Sequence, residues 1–141
     1  MHKQAGFTLI EVIVVLVILG ILASIVVPNV ISRTDQAQIV KAKQDIRALE
    51  SALQLYRVDN FRYPTTDQGL QALVERPSIP PLAKNWQKGG YIKTLPQDPW
   101  LNSYQYLSPG QHGDFDLYTL GADGRPGGSD ENQDIGSWTL E

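Results

Sequence analysis

The chain has 141 residues, with 12 Lys and Arg against 15 Asp and Glu for a net charge of -3, so it has no general attraction to phosphate backbones or anionic lipid. It carries no cysteine and two histidines, which removes disulfides, thiolate metal ligands and cysteine nucleophiles from consideration. The length suits one domain, and a small domain without disulfides needs another staple, such as oligomerisation or a bound metal.

The first predicted element is a long apolar helix. From Val12 to Ser32 the sequence VIVVLVILGILASIVVPNVIS has no charged side chain, and about 20 helical residues cross a hydrocarbon core of about 30 Å. The chain accordingly divides into a leader at residues 1–6, a transmembrane helix at 7–31 and a globular domain at 32–141. Lys3 and the short leader favour a cytoplasmic N-terminus, with the globular domain on the far side of the membrane. A secretory signal peptide cut near Ala23 is the competing assignment, but such apolar regions run only about 7–15 residues. Glu11 is the anomaly, because a carboxylate at the start of an apolar span is costly unless partnered. Cleavage between Gly6 and Phe7 would create an α-amino cation about one helical turn away. On the same chain or a neighbour, that cation would neutralise Glu11 and set the register between subunits. Interfacial snorkelling is the simpler alternative for Glu11.

Residues Gly6-Phe7-Thr8-Leu9-Ile10-Glu11, preceded by a short basic leader and followed by an unbroken apolar run, resemble the class III signal of type IV pilins and type II secretion pseudopilins. The resemblance implies that a prepilin peptidase cuts after Gly6 and N-methylates Phe7, with Glu11 used in assembly. Gly20 and Pro28 also sit where that family has helix-weakening residues. Glycine lowers helix stability and proline removes a backbone hydrogen bond, so this stretch can bend or partly unwind when subunits pack. Ordinary tolerance of Gly and Pro in membrane helices accounts equally for either residue alone.

Beyond Pro28, Ala42, Ile46, Leu49, Leu53 and Tyr56 recur at four- and three-residue spacing within a segment rich in Gln, Lys, Asp and Arg, the pattern of an amphipathic helix. This stripe is the expected seam against the domain's own sheet, and the helix is expected to stop near Asp59-Asn60, before the extended geometry that Pro64 imposes. A short second helix is predicted over Thr65 to Val74, capped by Thr66 or Asp67 and burying Leu70, Leu73 and Val74. From Pro77 to Pro99 a long irregular loop is expected, anchored by Trp86, Tyr91 and Ile92.

The C-terminal third alternates like strands at Tyr104 to Leu107 and at Phe115 to Leu120, separated by Ser108-Pro109-Gly110 turn chemistry. A third strand is expected at Ser137 to Leu140, with Trp138 facing inward. The expected fold is therefore α+β: a long N-terminal helix, transmembrane then amphipathic, packed on a small antiparallel sheet. Tyr63-Pro64-Thr65-Thr66, Gln68-Gly69-Leu70, Asp98-Pro99-Trp100, Asp116-Leu117-Tyr118 and Leu120-Gly121-Ala122-Asp123-Gly124 are similar to the major pseudopilins of type II secretion, which implies a pilin-like domain. Many type IV pilins close this region with a disulfide, and this chain cannot. One departure is Leu101-Asn102-Ser103, where the family commonly has Gly-Asn-Pro, so the local turn is open.

Asp123, Asp130 and Asp134 lie in a loop of Gly, Ser and Asn whose oxygen-only donors suit calcium, although on spacing alone a solvated acidic loop is the preferred reading. Asp130, Asn132 and Asp134 imitate the start of an EF-hand, with Glu141 at the twelfth position. Ile135 stands where glycine is needed and no exiting helix follows, so that match fails. Resemblance to major pseudopilins implies a calcium site here: a Leu120 carbonyl, the Asp123 and Asp130 carboxylates, and less firmly Asp134 and the Ser129 carbonyl.

Catalysis has little to rest on: His2 would leave with the leader, His112 sits in a turn, and no nucleophile elbow, phosphate loop or zinc-ligand spacing is present. The expected role is a structural subunit polymerising into the type II secretion pseudopilus, a homo-oligomeric helical filament anchored in the inner membrane that drives export across the outer membrane. Its partners would be minor pseudopilins, the prepilin peptidase/N-methyltransferase and an inner-membrane assembly platform. Alternatives are a type IV pilin or competence pseudopilin, or a membrane-anchored periplasmic binding module.

Overall fold

The computed structural model describes residues 6–140, with the backbone alone at 27–32. The leader residues 1–5, including His2 and Lys3, and the terminal Glu141 lie outside the described residues. The chain separates into two compact units, residues 1–35 and 36–141.

A 52-residue helix, α1, spans Leu9–Asn60 and contributes to both units. Within the second unit its stripe behaves as the spacing predicts: Ala42, Ile46, Leu49, Leu53 and Tyr56 are all buried, joined by Ala52. The last turn ends where expected, but by a different device. Phe61 adopts a left-handed conformation with φ 61°, and its N–H donates to the Arg57 carbonyl at 2.7 Å, a closing role that glycine usually fills. Asn60, itself buried, donates its amide to the Tyr56 carbonyl and the Tyr91 hydroxyl and accepts from the Asn85 N–H.

The predicted second helix is corrected to a turn leading into one short 3-10 segment, Leu70–Leu73. Its entry is held by Thr65 rather than Thr66 or Asp67. The Gln68 N–H donates to the Thr65 hydroxyl at 3.2 Å, while the Gln68 side-chain carbonyl accepts from the Thr65 N–H at 3.0 Å, a reciprocal cap. Thr66 is instead engaged with the backbone of Ser108. Leu70, Ala72 and Leu73 are buried, whereas Val74 is only half-buried.

The long loop that follows is ordered by side chains bonding to its backbone, since every buried peptide group needs a partner. The Gln68 amide donates to the carbonyls of Ile79 and Pro81, each at 2.9 Å. Arg76 reaches the Ala83 carbonyl, and the Trp86 indole donates to Ala72 at 2.8 Å. Trp86, Tyr91 and Ile92 pack on the core as expected, with Tyr91 against both Tyr56 and Trp86.

The three-stranded antiparallel sheet has the order β1-β2-β3, with β1 at Gln105–Leu107, β2 at Asp116–Thr119 and β3 at Ile135–Gly136. Tyr106 pairs with Leu117, and Thr119 with Ile135. Leu117 and Ile135 join the α1 stripe in one core, while the Tyr104 hydroxyl crosses to α1 and donates to Asp45 at 2.9 Å. Burial, then the neighbouring Asp45 carboxylate, push the Tyr104 phenol well above its ordinary range. The expected third strand is displaced. Ile135 supplies the inward side chain, whereas Ser137–Thr139 is a 3-10 turn and Trp138 remains partly exposed. The short hydrophobic C-terminal run has too few residues to distinguish the two registers by alternation.

Candidate functional site

Two regions carry the residues that the sequence singles out. In the N-terminal unit, Leu9–Val26 has a mean hydropathy of 3.1 and none of it is buried; among the described residues it is the one helical stretch long and apolar enough to cross a membrane. Gly6 and Phe7 precede the helix and are exposed. Among the described residues, no atom beyond the adjacent residues and the helix's own nearby backbone comes within 4 Å of a Cβ placed at Gly6 or at Gly20. No packing among the described residues therefore requires glycine at either position. The helix passes without interruption through Gly20 and Pro28.

Glu11 closes the start of α1 by a capping box that the Thr8-x-x-Glu11 spacing would have revealed. Its Oε2 accepts from the Thr8 N–H at 2.7 Å and from the Thr8 hydroxyl at 2.9 Å. The Thr8 hydroxyl accepts in turn from the Glu11 N–H at 3.3 Å. The carboxylate therefore has a local partner before any cation is offered. An apolar concavity on the same helix runs past it, lined by Phe7, Ile10, Glu11, Val14 and Val15.

In the second unit, the loop from Leu120 to Asp134 folds tightly on itself. The Ala122 N–H donates to the Glu131 carbonyl at 2.8 Å, and the Gly127 N–H to Asp134 Oδ2 at 2.9 Å. Gly121, at φ 70°, lies so close to the backbone of 131–133 that a Cβ there would stand 2.8 Å from three backbone atoms. A side chain at Gly128 would collide with the Asn132 carbonyl. Asp130 adopts φ 53°, a conformation that aspartate tolerates better than most residues. Asp123 accepts from the Arg125 N–H, and the Ser129 carbonyl accepts from the Asn132 N–H.

Among the described residues, no three His, Cys, Asp or Glu side chains gather closely enough to hold a metal ion. The loop nevertheless contains one orphan: Asp134 Oδ1 is buried and has no hydrogen-bond partner. A buried carboxylate oxygen without a donor demands an explanation, and an oxygen-only loop rich in carbonyls fits a hard cation there.

A third cluster escaped the sequence reading. Asp116 is buried on β2, where it accepts from the Gln111 N–H at 2.8 Å, the His112 N–H at 3.0 Å and the His112 ring Nδ1, also at 3.0 Å. Burial alone would raise its pKa, but these bonds outweigh it and hold the carboxyl below its ordinary value of 3.8. The His112 ring stacks on Trp138 with centroids 3.9 Å apart and an interplanar angle of 6°. His112 is thus exposed, as a turn residue should be, yet firmly partnered. The i, i+4 relation of His112 and Asp116 was visible, but the contact with Trp138 joins residues remote in sequence.

The family described as "Type II secretion system (T2SS), protein G" matches residues 29–138, and the family described as "Prokaryotic N-terminal methylation motif" matches residues 1–27. The type II secretion system core protein G of Pseudomonas aeruginosa is 62% identical over 137 residues, covering 97% of this chain and 96% of that protein. The core protein G of Vibrio cholerae is 58% identical over 141 residues, covering 100% of this chain and 96% of that protein. The crystal structure of the major pseudopilin from the type 2 secretion system of enterohaemorrhagic Escherichia coli superposes with a TM-score of 0.70 at 51% identity. That match covers 81% of this chain and 97% of that one.

Proposed function

The chain belongs to the type II secretion protein G family, the major pseudopilins, which are structural proteins rather than enzymes, and from that premise we propose the following course for it. Residues 1–6 are a leader removed after Gly6, Phe7 becomes the N-methylated first residue, and residues 7–31 anchor the subunit in the inner membrane. The domain at 32–141 then lies in the periplasm. Subunits leave the bilayer to polymerise through their apolar helices into a homo-oligomeric filament, with minor pseudopilins and an inner-membrane assembly platform as partners. A prepilin peptidase/N-methyltransferase performs the processing.

The observation that carries this reading is a fully exposed apolar helix with a single carboxylate, Glu11, one turn beyond the Gly6-Phe7 junction. In the isolated chain Thr8 caps that carboxylate. The α-amino cation of a neighbouring subunit would offer a charged partner in a low-dielectric setting, where an ion pair outcompetes a neutral hydrogen bond. Gly20, which no neighbour in the chain requires, and Pro28 are the helix-weakening points that let α1 adapt on packing.

Substitution separates the two roles of Glu11. Glu11→Gln retains capping ability but not charge; Glu11→Ala loses both. Both variants are expected to be processed, and neither to enter filaments sheared from cells. Filament yield at the normal level in Glu11→Gln would overturn the charge-pairing role, normal yield in both would remove Glu11 from assembly, and the absence of filaments from wild-type cells would favour an anchored binding module.

Calcium in the Leu120–Asp134 loop completes the proposal. Leu120 and Ser129 would offer carbonyls, and Asp123, Asp130 and Asp134 carboxylates, with the orphaned Asp134 oxygen as the main support. Bound calcium would neutralise like charges and crosslink the loop, which supplies the staple that a domain without disulfides needs.

A further inference from the structure

We propose that His112 and Trp138 form a clasp that pre-orders the Leu120–Asp134 loop, making both of them positioning residues for the cation site; the cation half of this rests on the calcium reading above. A continuous chain of contacts carries the effect. Gly110 leaves room for Asp116, since a Cβ at Gly110 would lie 2.6 Å from Asp116 Oδ1. Asp116 fixes the His112 backbone and ring through bonds at 3.0 Å each. The His112 ring covers one face of Trp138, and Tyr118 of β2 meets the same indole at 5.6 Å and 62°. Trp138 in turn lies over Gly136, where a Cβ would stand 2.5 Å from the indole. Gly136 belongs to β3, and β3 begins at Ile135, immediately after Asp134.

β3 has only two residues, with Gly136 opposite Tyr118 and Ile135 opposite Thr119. So short a strand cannot hold its register by ladder bonds alone. Its other ties are Ile135 buried in the core, the Gly136 N–H donating to the Thr139 hydroxyl and that hydroxyl to the Gly136 carbonyl, each at 3.0 Å, the Leu117 N–H donating to the Ser137 hydroxyl at 3.3 Å, and Arg47 donating to the Leu140 carbonyl at 3.0 Å. The Trp138 indole, stacked on the His112 ring, covers Gly136 and adds a rigid contact to those that set where β3, and hence Asp134, sits. Residues that orient a ligand without touching the metal are typically worth about 10–100-fold in metal affinity.

The test uses the full-length processed protein in detergent, comparing wild type with His112→Ala, His112→Phe and Trp138→Leu. Amide hydrogen exchange is followed by mass spectrometry in chelator, and calcium titration by calorimetry. His112→Ala and Trp138→Leu should accelerate exchange across 121–136 in chelator while leaving α1 residues 42–56 at wild-type protection. Both should weaken calcium binding by about tenfold. His112→Phe, which keeps a stacking ring, should stay within about twofold of wild type, a rescue that general destabilisation would not produce. Unchanged exchange across 121–136 in His112→Ala would overturn the clasp whether or not calcium binds. A wild-type protein that takes up no calcium would instead remove the cation reading, with the exchange result still deciding the clasp.

Discussion

Leu101 holds a bulky apolar side chain at φ 68° with 76% of its surface exposed, so it bears backbone strain with little burial to offset it. The strain comes from the turn around Asp98. That buried carboxylate accepts from the N–H groups of Trp100 at 3.0 Å and Asn102 at 2.8 Å, and from the Thr119 hydroxyl at 2.5 Å. The Asp98 N–H donates back to the Asn102 carbonyl, and the Leu101 N–H to the Asp98 carbonyl. With both ends fixed, position 101 must enter the left-handed region, which costs a residue with a Cβ about 1–2 kcal/mol. The turn at Leu101-Asn102-Ser103, left open by the sequence, is therefore held by Asp98 with a leucine in the left-handed position. Leu101→Gly should raise stability by about 1 kcal/mol, the relieved strain exceeding the added chain entropy. Chemical denaturation would measure it, and a destabilised Leu101→Gly would show that the leucine side chain earns its place by packing.

At the level of elements, the strongly periodic parts were legible and the irregular parts were not. Ala42, Ile46, Leu49, Leu53 and Tyr56 repeat over four turns, which suffices to define one buried face of α1. Phe115 to Leu120 alternates well enough to place β2. The Thr65–Val74 segment failed because Gly69, at φ 60°, interrupts the helical backbone, and because Gln68 directs its side chain to Ile79 and Pro81 across the loop. The C-terminal strand failed because the pairing ends at Gly136 and Ser137–Thr139 turns as a 3-10 segment, so that Ile135 enters the core while Trp138 stacks on His112. Candidate site residues divide in the same way. The Gly6-Phe7 junction and Glu11 are local in sequence and could be read directly. The loop carboxylates are not brought into one cluster, and the orphaned Asp134 oxygen became visible only in three dimensions. If that oxygen serves a cation, adding chelator should lower the domain's melting temperature by about 10 °C, since a site filled at about 100 times its Kd contributes about 2.7 kcal/mol. Identical melts with calcium and with chelator would remove the ion from the account.

For the whole molecule, the two units have opposite relations to water. Residues 36–141 bury a core that joins α1, the Leu70–Leu73 turn, the long loop and the sheet. Residues 9–26 bury nothing of their own, so their apolar surface must be covered by lipid or by other subunits. In lipid, Glu11 is costly; beside a neighbour's new α-amino group, it would be paired. Processing at Gly6-Phe7 would thus create the cation that makes leaving the bilayer favourable, which ties the cleavage site, the carboxylate and the filament into one mechanism. The direct test is the mass of the N-terminal peptide from the protein purified from membranes. The expected peptide begins at Phe7 and is heavier by one methyl group; a peptide retaining residues 1–6, or one beginning after Ala23, would rule out this processing.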